Sequence, residues 1–169
     1  MKPRLELIII DDFIPTWMQD RLEKLTQNHS IKYEFLSFTS HVDNINLNSE
    51  GDQFSNLILK DGQLKEYGAD HFFLLPFLTA CLKEGVIFDY SQFLRAKIHP
   101  YNLIGLYYIN DSDGDTIIYE GRDKNNLKIA NKVSPKKGRI ILFDGSQYHS
   151  SSYPLKTDKR MVINYNLMY

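Results

Sequence analysis

The chain has 169 residues, a formal net charge of −1 and a single cysteine, Cys81. Hydrophobic residues make up 43% and charged residues 24% of it, enough for one globular domain with a real core. The near-zero charge excludes a bulk electrostatic grip on nucleic acid or an anionic membrane, and the lone cysteine excludes an intrachain disulfide framework and a cysteine-rich zinc site.

Tyrosine (11) and phenylalanine (10) are abundant, which favours strands. Leu5 to Ile10 reads as a buried strand stopped by Asp11 and Asp12. This apolar run is too short for a signal peptide or a membrane span, so the expectation is a soluble, cytoplasmic protein. Pro15 suits a first helical turn. Trp17, Met18, Leu22 and Leu25 recur at helical spacing, predicting an amphipathic helix over 15–27. Strands are expected at 31–39 and 53–59, followed by a second helix over 76–83 capped by Gly85. From Phe93 the pattern becomes a succession of short strands, at 93–99, 103–110, 115–120, 128–133, 139–143, 146–152 and 160–168. Such spacing predicts an antiparallel sandwich or barrel with the helices outside it. No linker or repeat interrupts the chain. The fold class expected is α+β, mainly β: one domain over 1–169, with 1–92 as N-terminal support and 93–169 as the barrel core.

Two side chains stand out chemically. His149 follows the Leu142-Phe143-Asp144-Gly145 strand end, and Arg160 lies next to Met161, Val162 and Ile163. A buried arginine needs an anionic partner, and its planar guanidinium suits a carboxylate. The plainer alternatives are an ordinary hydrogen-bonded histidine and an edge-strand arginine facing water. The Asp111-Ser112-Asp113-Gly114-Asp115 turn looks calcium-like, but Arg122 at loop position twelve excludes an EF-hand.

The segments Leu106 to Thr116 (LYYINDSDGDT) and Val133 to Gly145, continuing through His149 to Arg160, resemble the Fe(II)/2-oxoglutarate-dependent dioxygenases of the prolyl-4-hydroxylase type, in particular the small bacteriophage forms. The resemblance extends loosely to Leu7–Leu25. It implies a double-stranded β-helix, or jelly roll, with N-terminal supporting helices. It also implies Fe(II) and 2-oxoglutarate as cofactors, with ascorbate as an optional reductant. His149 would match the second metal histidine, and Arg160 the residue that clamps the distal carboxylate of 2-oxoglutarate. Tyr107 or Tyr108 would offer a hydroxyl to that carboxylate.

The sequence departs from the family where the first two metal ligands belong. The family carries His-x-Asp (or His-x-Glu) after an Arg-x-Lys strand. Here Arg95-Ala-Lys97 runs directly into Ile98-His99-Pro100-Tyr101, the segment is about a dozen residues short by comparison, and position 101 is a tyrosine. His99 is then the candidate second metal ligand. A literal His41-Val42-Asp43 occurs, but in the support segment; His29 and His71 have no supporting context. Three readings stay open: a degenerate relative without iron, a site with altered ligands, or a missing loop. The leading expectation is a dioxygenase-like protein that hydroxylates an unknown small-molecule or peptide substrate, in the cytoplasm of a phage-infected bacterial host. The competing one is an inactive jelly roll serving as a binding or virion-structural module. Oligomeric state is left open.

Overall fold

The computed structural model describes residues 6–27, 33–36, 53–55, 59–60, 63–64, 102–121, 123 and 125–168. Its elements run β1 (Ile8–Ile10), α1 (Thr16–Thr26), β2 (Glu34–Leu36), β3 (Gln53–Ser55), β4 (Leu59–Lys60), β5 (Gln63–Leu64), β6 (Asn102–Tyr108), β7 (Thr116–Glu120), β8 (Lys128–Val133), β9 (Ile140–Asp144), β10 (His149–Ser151) and β11 (Val162–Met168). The expected strand at 93–99 and the helix at 76–83 lie outside the described residues.

The described chain is mainly β. Strands β1-β9-β6-β11 form a four-stranded antiparallel sheet, and β10-β7-β8 a three-stranded one; β2–β3 and β4–β5 are two-stranded ribbons. From β6 onward the chain passes repeatedly between the two larger sheets. Period-2 alternation sorts the side chains of β6: Ile104, Leu106 and Tyr108 join Ile141 and Phe143 of β9 and Ile118 and Val133 of the other sheet in one core cluster. The two sheets therefore pack face to face. Each large apolar side chain buried there contributes roughly 1.5–3 kcal/mol. Tyr107, although fully buried, projects from the opposite face of β6.

Helix α1 occupies nearly its expected span, with Pro15 as its N-cap rather than in its first turn. Its buried face differs from expectation: Gln19 and Leu22 are buried, whereas Trp17 is 62% exposed. Trp17 sits about 100° around the helix from Met18, and Met18, Leu22 and Leu25 complete the inward stripe without it. Gln19 is tolerated because its Nε2 donates to the Ile14 carbonyl at 2.8 Å. Its side chain lies against Gly138, which adopts φ +79; an added Cβ there would come within 2.5 Å of the Gln19 amide. Among the described residues no helix is long and apolar enough to cross a membrane.

One end of the double sheet is densely laced. Asp113 accepts from the Leu155 and Lys156 amides at 3.0 and 2.9 Å, and from the Thr157 amide and hydroxyl at 3.1 and 2.8 Å. Asp111 accepts from the Lys137 amide at 2.8 Å. The Asn110 side chain donates to the Lys159 carbonyl and accepts from the Met161 amide. Lys137 pairs with Asp20 and Glu23 of α1, and Arg139 grips Asp11 through two nitrogens at 2.6 and 3.1 Å. The calcium-like turn is thus an anchor for the β10–β11 loop.

These contacts have a pH signature. The Thr157 hydroxyl, against some burial and with the three backbone amides, holds Asp113 far below the ordinary 3.8. Arg139, against a small burial effect and with Lys136, brings Asp11 down to about 2. Both pKa values are depressed in the folded state, so the unfolded chain takes up protons first on acidification, and their stabilisation is complete above pH 3.8 and lost below it. The melting temperature should be flat above pH 5 and fall steeply between pH 4 and pH 2. D113N should lower the plateau and flatten part of that acid limb in a pH series of thermal melts; an unchanged limb would refute the assignment.

Candidate functional site

Among the described residues, Arg160 enters the space between the sheets without a carboxylate in hydrogen-bond contact. Arg160, immediately before β11, is half-buried as a residue, but its Nε is fully buried and, among the described residues, has no hydrogen-bond partner. Its Nη2 donates to Thr116 Oγ1 at 2.9 Å. Its guanidinium carbon stands 5.7 Å from the centre of the Tyr108 ring. The nearest acid in its field, Asp115, is held by Lys132 at 2.9 Å. Burial pushes the Arg160 pKa down, opposed by the Tyr108 hydroxyl and Asp115. Arginine nevertheless stays charged in proteins, so a positive charge persists here, with no ion pair to a carboxylate among the described residues.

Thr116 and Tyr108 complete this corner. Their hydroxyls are 2.6 Å apart and both residues are buried. Burial raises the Tyr108 pKa, with the Thr116 hydrogen bond and Arg160 opposing, so the phenol keeps its proton at neutral pH. Only one proton can lie in the bond between the two oxygens, and Thr116 Oγ1 also accepts from Arg160. Whichever hydroxyl donates, the other has its proton left over. The corner therefore offers one O–H and the Arg160 Nε–H, both donors. Its natural ligand is an acceptor-only anionic group, and a carboxylate fits.

His149 opens β10. It is exposed, but it pairs in register with Ile118, so it projects from the same side of the sheet, and its ring meets the Phe143 ring edge-on at 5.1 Å and 70°. Its Nδ1 is 3.1 Å from the Gln147 carbonyl. In the tautomer that donates from Nδ1, the lone pair lies on Nε2. Ser151, two residues on, pairs with Thr116. Positions 149 and 151 are thus about 7 Å apart along β10, His149 beside Ile118 and Ser151 beside Thr116.

The sequence singled out five residues here. His149, Arg160 and Tyr108 lie on the interior side of the two sheets. Tyr107 lies on the other face of β6, and burial, with the charge of Asp12, pushes its phenol pKa well up. His99 is outside the described residues, as are His41, Asp43, His29 and His71. Thr116 was not singled out; the signal available for it was a hydroxyl residue opening an otherwise apolar strand, TIIY. Among the described residues no group of three His, Cys, Asp or Glu side chains could hold a metal ion.

The two tyrosines respond differently to loss of the hydroxyl. Tyr107 Oη is buried with no hydrogen-bond partner among the described residues, so Y107F should be neutral or raise stability by up to about 1 kcal/mol. Y108F removes a bonded hydroxyl from the Thr116 corner and should cost about 1 kcal/mol. Urea unfolding of the two variants compares them directly, and equal costs would contradict this assignment of faces.

No protein-family model and no curated protein matches the chain. Among solved structures it is similar to the crystal structure of IDO from Bacillus thuringiensis, at 13% sequence identity and a TM-score of 0.47, over 96% of this chain and 89% of that one.

Proposed function

We propose that the chain is a jelly-roll protein of the 2-oxoglutarate/Fe(II) dioxygenase type, with Arg160 as the clamp for the distal carboxylate of 2-oxoglutarate. The observation that carries this reading is the buried Arg160 Nε, which has no hydrogen-bond partner among the described residues, beside the hydroxyl groups of Thr116 and Tyr108. The jelly roll is supported by the winding: β6 lies in one sheet, β7 and β8 in the other, β9 returns, β10 crosses and β11 returns.

The donor set fits 2-oxoglutarate. Arg160 binds the distal carboxylate, Thr116 fixes the orientation of the guanidinium, and the Tyr108 ring keeps water from its face. When bound, 2-oxoglutarate supplies the electrons for oxygen chemistry and leaves as succinate and carbon dioxide. The described residues do not by themselves fit an iron site, since no group of three His, Cys, Asp or Glu side chains gathers among them. His149 as a metal ligand, with His99 as its partner, is part of the proposal. Substrate binding is assigned to the end of the sheets where His149 opens β10.

Anaerobic calorimetric titration with 2-oxoglutarate in the presence of Fe(II) tests the clamp. R160Q should weaken binding by roughly 10- to 100-fold, the loss expected for a charge-assisted hydrogen-bond pair. Admitting oxygen should then yield succinate from the wild type. Absence of wild-type binding, or R160Q binding as tightly as wild type, would sink the reading in favour of a non-catalytic module.

A further inference from the structure

The depth at which Arg160 enters the interior is fixed by something it packs against, and that neighbour is a glycine in the turn before β7. An added Cβ at Gly114 would lie 2.8 Å from the Ser152 carbonyl oxygen, 3.1 Å from Arg160 Cδ and 3.2 Å from Pro154 Cδ. We infer that Gly114 is a positioning residue for the Arg160 guanidinium, its missing side chain being the space through which the arginine stem passes to reach Thr116. The inference rests on the reading of Arg160 as a carboxylate clamp.

Two of the three neighbours cannot easily yield. The Ser152 amide donates to the Asp115 carbonyl at 2.8 Å, and the Asp115 amide donates to Ser152 Oγ at 2.8 Å. Those reciprocal bonds tie residues 152 and 115 together on either side of the glycine. Pro154 is followed directly by residues 155–157, whose amides Asp113 holds. The glycine itself is fastened by its own amide, which donates to Ser112 Oγ at 3.2 Å. The soft neighbour is the arginine stem, which has rotatable bonds and is held at its tip by the hydrogen bond to Thr116. A methyl group at 114 meets the Ser152 carbonyl most closely, so the turn itself must give, and the Arg160 stem, the contact most able to yield, moves with it, drawing Nη2 away from Thr116 and turning Nε out of the donor corner. Glycine at 114 thus answers to crowding and not to turn geometry.

The test uses the full-length 15N-labelled chain. The Arg160 Nε–H cross-peak is identified by its loss in R160Q, and 2-oxoglutarate affinity is measured by calorimetry. In G114A that peak should shift and its solvent exchange accelerate, with backbone amides away from 114, 152–154 and 160 unchanged. Affinity for 2-oxoglutarate should fall by about 10-fold, the effect of one misplaced charge-assisted bond. A G114A side-chain peak that overlays the wild-type one overturns the inference. Wild-type protein that binds no 2-oxoglutarate while G114A still moves the peak sinks the proposed function and leaves the positioning role standing. If G114A does not fold, relaxation of the wild-type peak decides: a held arginine gives an order parameter approaching ~0.85, and a freely moving Nε–H overturns the inference.

Discussion

The carboxylate of Asp113 governs more of this molecule than any other single group. Four hydrogen bonds converge on it from residues 155–157. They turn the connection between β10 and β11 from a span that could take many paths into one with a fixed course. The start of β11 follows from that course, and with it the register Val162↔Tyr108 that places Arg160 beside the inward-facing tyrosine. A charged acceptor surrounded by amide donors is a strong local constraint even on the surface, because its alternative partners in water are displaced all at once. The neighbouring acids act alike: Asp111 fixes the Lys137 turn, and Asp11 ties β1 to the start of β9 through Arg139.

Behind that polar end, the interior is built with one deliberate exception to apolar packing. Seven side chains drawn from both sheets form the cluster, and one of them, Tyr108, carries a hydroxyl. That hydroxyl and Thr116 satisfy each other, and Arg160 borrows the same oxygen. Sharing one oxygen among three groups leaves donors in surplus. Buried donors without acceptors are destabilising, and an anionic acceptor of the kind proposed for this corner would relieve that imbalance.

Much of the architecture was legible in the sequence because period-2 patterning and turn residues are local signals. β8 spans the residues expected of it, and β6, β7 and β9 differ by a residue or two at their ends. β10 is shorter than expected, because only His149 to Ser151 pair with β7. The helix was legible as a helix but not in its facing: Trp17 looked like a core residue by hydrophobicity, yet the inward stripe is fixed by the contact of Gln19 with Gly138, which joins residues far apart in the chain. The site was half legible. Arg160 and His149 stand out by type and neighbours. Thr116 and Gly114 do not, because their roles come from proximity to a residue more than forty positions away. The two adjacent tyrosines could not be told apart until the pairing of β6 gave each a face.

The uneven distribution of cross-links along the long axis bears on how such a scaffold can change over evolutionary time. At the His149 end, the described bonds of the turns that follow Asp123 and Asp144 are local, such as the Asn125 amide to Asp123 and the Ser146 amide to Asp144, and the ties to Tyr119 come only at Gln147 and Tyr148. Lengthening either turn would break few contacts made elsewhere, whereas an insertion at 111–115 or 152–160 would undo the lacing around Asp113 and Arg160. Variation in loop length is therefore cheap where His149 sits and costly where the guanidinium is held. A lineage built on this frame could alter the loops at one end while leaving the end that holds Arg160 untouched.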